Sequence, residues 1–318
     1  MKIHRQIDTL PAFSYPVVTV GTFDGVHLGH RRIIGRLTEI AAARGGESIV
    51  VTFEPHPRMV LAQYGTAVKL INTAHRKYEL IAGLGVDHLI ILPFTREFSK
   101  TPWETFIRAF IVSTLKTSCL VVGYDHRFGH GRQGDHDKLL HLAHETGFCV
   151  EEVHPLLADG MEVSSTRIRN ALHEGNIRQA NSLLGYPYSI TGKVVHGNRI
   201  GHRLGFPTAN IEAEDKYKLI AANGVYAARV LYNGHLYDGM GNIGVRPTIN
   251  RHSFAIEVNL FDFDAEIYGE ILTVFFYDRL RDEVRFDNLE QLKNQLQKDK
   301  VITKKVLAAT ADNPLQPV

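Results

Sequence analysis

Apolar residues in the first half of the chain come in short continuous blocks separated by longer stretches of helical spacing. Residues 17–20, 49–53, 88–92 and 119–122 read as four buried strands, because each block is short and uninterrupted by polar positions. Between them, apolar positions recur with a helical period over 32–43, 74–84 and 102–115. The last of these carries Phe106, Ile107, Phe110 and Ile111 on one face and Pro102 near its first turn. A further helical stretch spans 137–146. Strands alternating with helices predict the α/β class, a parallel sheet with crossover helices. Ligands of such sheets bind beyond the C-terminal strand ends. Three polar or glycine-rich stretches, 21–30, 53–57 and 123–129, follow strands in this way and are expected along one edge.

The texture changes at Ser164. A capped helix start is followed by two short helices, 166–173 and 176–184, with Gly185 at a C-cap position and Pro187 as a stop. The expected division therefore falls at 185/186. Beyond it, short apolar segments at 189–195, 224–232, 235–242, 253–262 and 270–277 alternate with turn signals, and Asn233-Gly234 marks a hairpin. This pattern predicts a small all-β barrel of the six-stranded type. Leu289, Leu292 and Leu296 mark a closing helix, and a loose tail is expected over 307–318.

A length of 318 residues suits two domains, and 44% hydrophobic with 22% charged residues is ordinary for a globular protein. A formal net charge of +2 gives no argument for nucleic acid or an anionic membrane as partner. Neither a signal-peptide core nor an apolar run of membrane-spanning length occurs. The two cysteines, Cys119 and Cys149, offer no disulfide framework and point to a reducing, cytoplasmic setting.

Candidate chemistry concentrates in four places. In Gly21-Thr22-Phe23-Asp24-Gly25-Val26-His27-Leu28-Gly29-His30, a glycine loop leads from a strand into a helix. Backbone N–H groups and the helix dipole there suit a phosphate chain, and His27 and His30 share a face if the stretch is helical. The competing reading is a turn whose histidines only pack. At the second place, Arg167 and Arg169 stand beside Ser164, Ser165 and Thr166, either as a phosphate grip or as a plain N-cap with solvated arginines. The third is the stretch 192–210, where Gly192, Gly197, Gly201 and Gly205 would let backbone close over phosphates. In it Thr208 and Asn210, two apart, would present hard oxygen ligands on one side of an extended segment. The fourth is a strand where Phe254, Ile256, Val258 and Leu260 alternate with Glu257 and Asn259; Glu257 is a general base if its face lines a pocket, and a solvated carboxylate otherwise. The glycine patterns at 129–134 and 239–244 lack the strand–turn–helix setting of a dinucleotide site, and no P-loop occurs. His136, His141 and His144 read as a helix face rather than a metal site.

Over nearly its whole length the chain resembles the bacterial bifunctional riboflavin kinase/FAD synthetase family. The first half is similar to the nucleotidyltransferase part through residues 21–30, Thr52-Phe53-Glu54-Pro55-His56-Pro57, Gly123-Tyr124-Asp125 with Phe128-Gly129, and Ser164 to Arg169. The second half resembles riboflavin kinases through Leu204-Gly205-Phe206-Pro207-Thr208-Ala209-Asn210, Gly224-Val225-Tyr226, Asn242 to Thr248, Glu257 and Tyr268-Gly269-Glu270. The resemblance implies a Rossmann-like nucleotidyltransferase domain over 1–185 and a riboflavin kinase barrel over 186–306. It implies that riboflavin and ATP give FMN and ADP, and that FMN and a second ATP give FAD and diphosphate. By the same resemblance His27, His30 and Glu257 are catalytic. Gly21, Phe23, Asp24, Gly29, Ser164, Ser165, Thr166 and Arg169 bind ATP for adenylyl transfer. Phe53, Pro55, His56, Pro57, Asp125 and Phe128 form the flavin side. In the kinase, Gly192, Gly197, Gly201, Gly205 and Pro207 hold phosphates, and Thr208 and Asn210 hold Mg²⁺. No permanently bound prosthetic group and no obligate protein partner are implied. Two positions depart from the family pattern: His126 stands where Phe is more frequent, and His202 where Arg is common. An enzyme with one of the two activities, a flavin-binding regulator and an aminoacyl-tRNA synthetase relative are the rival readings. The first two would tolerate loss of the histidines or of Thr208, Asn210 and Glu257, all of which are present. Against the third stand the missing Lys-Met-Ser-Lys-Ser-type segment and the low net charge.

Overall fold

In a computed structural model that describes residues 1–62, 68–124, 136–158, 160–197, 200–248 and 251–310, the chain divides into two compact units, Met1–Val163 and Ser164–Val318. In the first, strands β1 (Lys2–His4), β2 (Val17–Val20), β3 (Ser48–Glu54), β4 (His88–Pro93), β5 (Cys119–Gly123) and β6 (Cys149–Val153) form one parallel sheet in the order β1-β4-β3-β2-β5-β6. Helices α1 (Leu28–Ala43), α2 (Pro57–Leu61), α3 (Ala74–Ala82), α4 (Trp103–Phe106) and α5 (His136–Thr146) connect them, and a two-residue pair, β7 (Leu157–Ala158) and β8 (Met161–Glu162), follows. Val17 to Val20 are all buried, as a strand covered on both faces must be. The core collects Val18, Ile49, Ile90 and Leu120 from the sheet with Ile107, Ile111 and Leu139 from the helical connections.

Chain order runs outward from β2 through β3 to β4, then returns to β5 on the other side of β2. The reversal at β2/β5 is the topological switch point, where such sheets open a crevice. The loop that leaves β2 is residues 21–27. The helix expected over 102–115 begins as α4 behind Pro102 but continues as a π-helix over Ile107–Thr114. There Ser113 and Thr114 hydroxyls donate to the carbonyls of Arg108 and Ala109, five residues back.

One expectation is overturned. Cys119 and Cys149 open β5 and β6, face each other in the strand register with Cα atoms 4.4 Å apart, and are joined by a disulfide. Two isolated apolar runs gave no sign of this, because the parallel pairing that brings them together spans 30 residues of sequence. The cysteines therefore carry no argument for a reducing compartment.

The second unit opens with α6 (Ser165–His173) and α7 (Ile177–Leu184). Strands β9 (Tyr188–Val195), β10 (Ala209–Ala213), β11 (Gly224–Tyr232), β12 (His235–Thr248), β13 (Arg251–Leu260) and β14 (Ile271–Arg281) then close a six-stranded barrel in the order β10-β13-β12-β11-β14-β9. A short α8 (Ile200–Arg203) precedes β10, and α9 (Leu289–Ala309) closes the unit. Gly185 ends α7 with φ of 77°, the left-handed C-cap that its position predicts. The compact units divide ahead of 185/186 because α7 packs on the barrel. Asn181 donates to the Phe276 carbonyl at 2.8 Å and accepts from Tyr188 N–H at 2.7 Å. The final helix includes residues 307–309 of the expected tail; residues 311–318 lie outside the described residues.

Candidate active sites

The first site grows out of β2. Gly21 N–H donates to the Val51 carbonyl at 3.0 Å, and a Cβ there would meet the Phe23 ring at 3.0 Å. The loop then passes through three residues of positive φ: Phe23 at 48°, Gly25 at 94° and Val26 at 35°. Such backbone persists only where its surroundings over-determine it. Asp24 supplies part of that hold. It is 4% exposed, and its Oδ1 accepts from the N–H groups of Ile71 (2.9 Å) and Asn72 (3.3 Å).

His27 is the N-cap of α1, and its Nδ1 accepts from His30 N–H at 3.3 Å. In the neutral ring this leaves the proton on Nε2, so His27 presents an N–H donor. The His27 and His30 rings stack with centroids 3.6 Å apart and planes inclined by 16°, and Phe23 meets His30 edge-on at 5.2 Å. A Cβ on Gly29 would stand 3.3 Å from the His27 ring, so a glycine there keeps the pair uncrowded. Paired imidazoles at a helix start are a ready site for a polyphosphate.

The end of β3 lies at the same sheet edge. Phe53 packs among Phe94, Phe98 and Phe106, with ring centroids 5.7, 5.8 and 6.5 Å away. A cis peptide joins Glu54 to Pro55, and His56 caps α2 through its Nδ1, which accepts from Arg58 N–H at 3.1 Å with Pro57 in the first turn. Glu54 accepts from Arg5 at 3.1 Å and from the Tyr78 hydroxyl, whose pKa is pushed up by burial and by that carboxylate. Asp125, His126, Phe128 and the 129–134 run lie outside the described residues. At the start of α6, the Ser164 hydroxyl accepts from Arg167 N–H at 3.4 Å. Arg167 and Thr166 are exposed, while Ser165 and Arg169 are partly covered.

The barrel holds the second site. Asn210 on β10 and Asn242 on β12 are both register partners of Glu257 on β13, so one row crosses three strands on one face. Thr208 Oγ1 reaches Glu257 Oε2 at 3.5 Å. Hydroxyl, amide and carboxylate oxygens together form a hard donor set of the kind that suits Mg²⁺ bound to phosphates. The glycine loop passes directly against this row: a Cβ on Gly197 would stand 2.5 Å from Asn210 Cγ and closer still to its amide nitrogen. Gly201 lies against the Phe206 carbonyl, which the Phe206 N–H to Gly201 carbonyl bond (2.9 Å) brings close, and Gly205 has φ of 78°. Pro207 accepts from Asn259 through its carbonyl at 2.6 Å. Gly192 lies within β9, opposite Ala213 and Leu272, where a bare Cα lets the Glu212 carbonyl approach. Its place is in the barrel wall and not in the loop.

Residues 12–167 match the family model for FAD synthetase, and residues 184–307 that for riboflavin kinase. A bifunctional riboflavin kinase/FMN adenylyltransferase from Listeria monocytogenes is 38% identical over 297 residues, covering 93% of this chain and 94% of that protein. The chain belongs to the bifunctional riboflavin kinase/FMN adenylyltransferase family. A relative of the same description from Escherichia coli K12 is 36% identical over 92% of this chain and 93% of its own length. A solved structure described as a macrolide-efflux protein from Streptococcus pneumoniae is 31% identical, with a TM-score of 0.88 over 95% of this chain and 98% of that one. Among the described residues of this family member, no helix is long and apolar enough to cross a membrane.

Three parts of the family member's two sites escape the spacing arguments. Asn242 joins the Glu257 row only through strand register, and its Nδ2 donates to Glu283 Oε1 at 3.1 Å. The aromatic wall around Phe53 draws on Phe94 and Phe98, which sit in a connection without periodicity. Lys77, on a helix whose other signals are ordinary, is buried and donates to Thr52, whose hydroxyl bonds the Thr22 carbonyl of the first loop.

Proposed function

We propose that this chain makes FAD from riboflavin in two steps, each carried by one of its two sites, with the adenylyl-transfer domain spanning 1–185 and the kinase domain 186–306. The observation that carries the reading is that one chain holds two constellations of different chemistry: stacked histidines at a switch-point helix start, and a carboxylate beside a hydroxyl in the barrel.

In the barrel, Glu257 accepts the proton of the ribityl 5′-hydroxyl as that oxygen attacks the γ-phosphorus of ATP. The bond to the β–γ bridging oxygen breaks, and FMN and ADP result. Thr208 and Asn210 would hold Mg²⁺, which when bound neutralises phosphate charge. Gly197, Gly201 and Gly205, with Pro207, keep backbone close to the phosphates. Catalysis here is chiefly alignment and charge stabilisation. In the first site an oxygen of the FMN phosphate, already ionised, attacks the α-phosphorus of a second ATP, and diphosphate leaves, so no general base is required. His27, donating from Nε2, and His30 stabilise the charge that develops around the α-phosphorus. Gly21, Phe23 and Gly29 shape the loop at the phosphates, while Asp24 anchors it. Ser164, Ser165, Thr166 and Arg169 take the leaving diphosphate. Phe53, Pro55, His56 and Pro57, with Asp125 and Phe128, receive the flavin. Riboflavin, FMN and ATP are the partners, and a cytoplasmic location supplies the ATP that both steps consume.

The test separates the half-reactions. Glu257→Gln keeps the shape of the side chain and removes the base; riboflavin phosphorylation should fall by about 100-fold or more while FMN is still converted to FAD. Phosphorylation at the unmodified rate would remove Glu257 from its role.

A further inference from the structure

Lys77 is turned inward from α3 and is 8% exposed. Its Nζ donates to Thr52 Oγ1 at 3.2 Å, and the fully buried Thr52 in turn donates its hydroxyl proton to the Thr22 carbonyl at 3.4 Å. The chain of bonds thus runs from a buried ammonium, through β3, into the loop that carries His27. Burial pulls the lysine below its ordinary pKa, while the nearby carboxylates of Glu54 and Asp24 favour the charged form. Those carboxylates have other work: Asp24 accepts from Ile71 and Asn72 N–H groups, and Glu54 accepts from Arg5 and Tyr78. One hydrogen bond and a 5.7 Å approach of Nζ to the Tyr78 ring return less free energy than desolvating an ammonium consumes, and a methionine would fill the same space without that penalty. Core packing alone therefore gives no reason for a lysine at this position.

The loop supplies the reason. Just beyond Thr22 come the positive φ values of Phe23, Gly25 and Val26. Gly21 N–H is tied to Val51 and Asp24 to residues 71 and 72, which leaves the Thr22 carbonyl as the point between two anchors. We propose that Lys77 is a positioning residue for adenylyl transfer: acting through Thr52, it fixes the Thr22 carbonyl and so holds the phosphate loop in its strained, reactive form. This rests on the assignment of that loop to adenylyl transfer. The residue does not touch the reacting atoms, so its removal should act on turnover more than on binding.

The full chain tests this with Lys77→Met, Thr52→Val and the double variant, each assayed for FMN-to-FAD conversion, for riboflavin phosphorylation and for melting temperature. Lys77→Met should lower kcat for FAD formation by about tenfold or more, shift KM for FMN by less than about threefold, and leave riboflavin phosphorylation at the unmodified rate. Thr52→Val should move kcat in the same direction, and the double variant should be no slower than Lys77→Met, because both act through one chain of bonds. FAD formation by Lys77→Met at the unmodified rate per folded molecule overturns the inference, even if its melting temperature drops. So does a double variant whose loss is the product of the two single losses. An unmodified chain that phosphorylates riboflavin but forms no FAD removes instead the assignment of the loop on which the inference rests.

Discussion

Gly197 shows how a single absent side chain can decide a site. Its Cα stands so close to the Asn210 amide that any Cβ would overlap Cγ at 2.5 Å, and Asn210 is buried on β10 with little room to retreat. Gly197→Ala must therefore displace either the loop or the amide that we assign to Mg²⁺. Riboflavin phosphorylation should fall roughly 10- to 100-fold, with FMN-to-FAD conversion unchanged, measured by chromatographic separation of the flavins. The glycine and Asn210 were each legible in the sequence, whereas their contact was not, since residues 197 and 210 meet only when β10 pairs with β9. Gly192 teaches the opposite lesson. It belongs to the same run, yet its space is taken by the Glu212 carbonyl in the barrel wall, and nothing in residue spacing separates a wall glycine from a loop glycine.

Among the elements, those set by local chemistry were legible and those set by distant pairing were not. Asn233 and Gly234, with φ of 47° and 77°, form the tight hairpin between β11 and β12 that their identity demands. β2 begins and ends where its apolar block does. In contrast β1 and β6 have mixed polar sequences and exist because β4 and β5 offer them an edge, and the disulfide follows from the β5/β6 register. The π-helix, with its hydroxyl bonds to carbonyls five residues back, is announced by no periodicity. The α7 element buries Ile177, Ala180, Leu183 and Leu184 and is tied to the barrel by Asn181, which is 3% exposed and spans from Phe276 to Tyr188. Asn181→Ala would orphan a buried N–H and a buried carbonyl, and should lower the stability of the second unit by roughly 2–4 kcal/mol in chemical denaturation. A change below about 0.5 kcal/mol would mean that water or a rearranged neighbour satisfies both groups.

For the whole molecule, the two units have unrelated architectures, and the proposed assignment puts the His27/His30 pair in one and Glu257 in the other, so substitutions at these residues should separate the two reactions. The order of the chemistry is the reverse of the order of the chain. The product of the barrel's reaction is the substrate of the switch-point site, because only a phosphorylated flavin brings the nucleophile that adenylyl transfer needs. The family was legible because its motifs are local, while the anchoring of the loop by Asp24, Thr52 and Lys77 draws on three elements and became visible only in three dimensions. The most direct measurement is a time course of flavins formed from riboflavin, ATP and Mg²⁺ by the unmodified chain and by the His27→Ala/His30→Ala variant. The account predicts FMN followed by FAD from the unmodified chain, and FMN accumulating with FAD formation slowed by about 100-fold or more from the variant. FAD appearing from the double variant at the unmodified rate would contradict it.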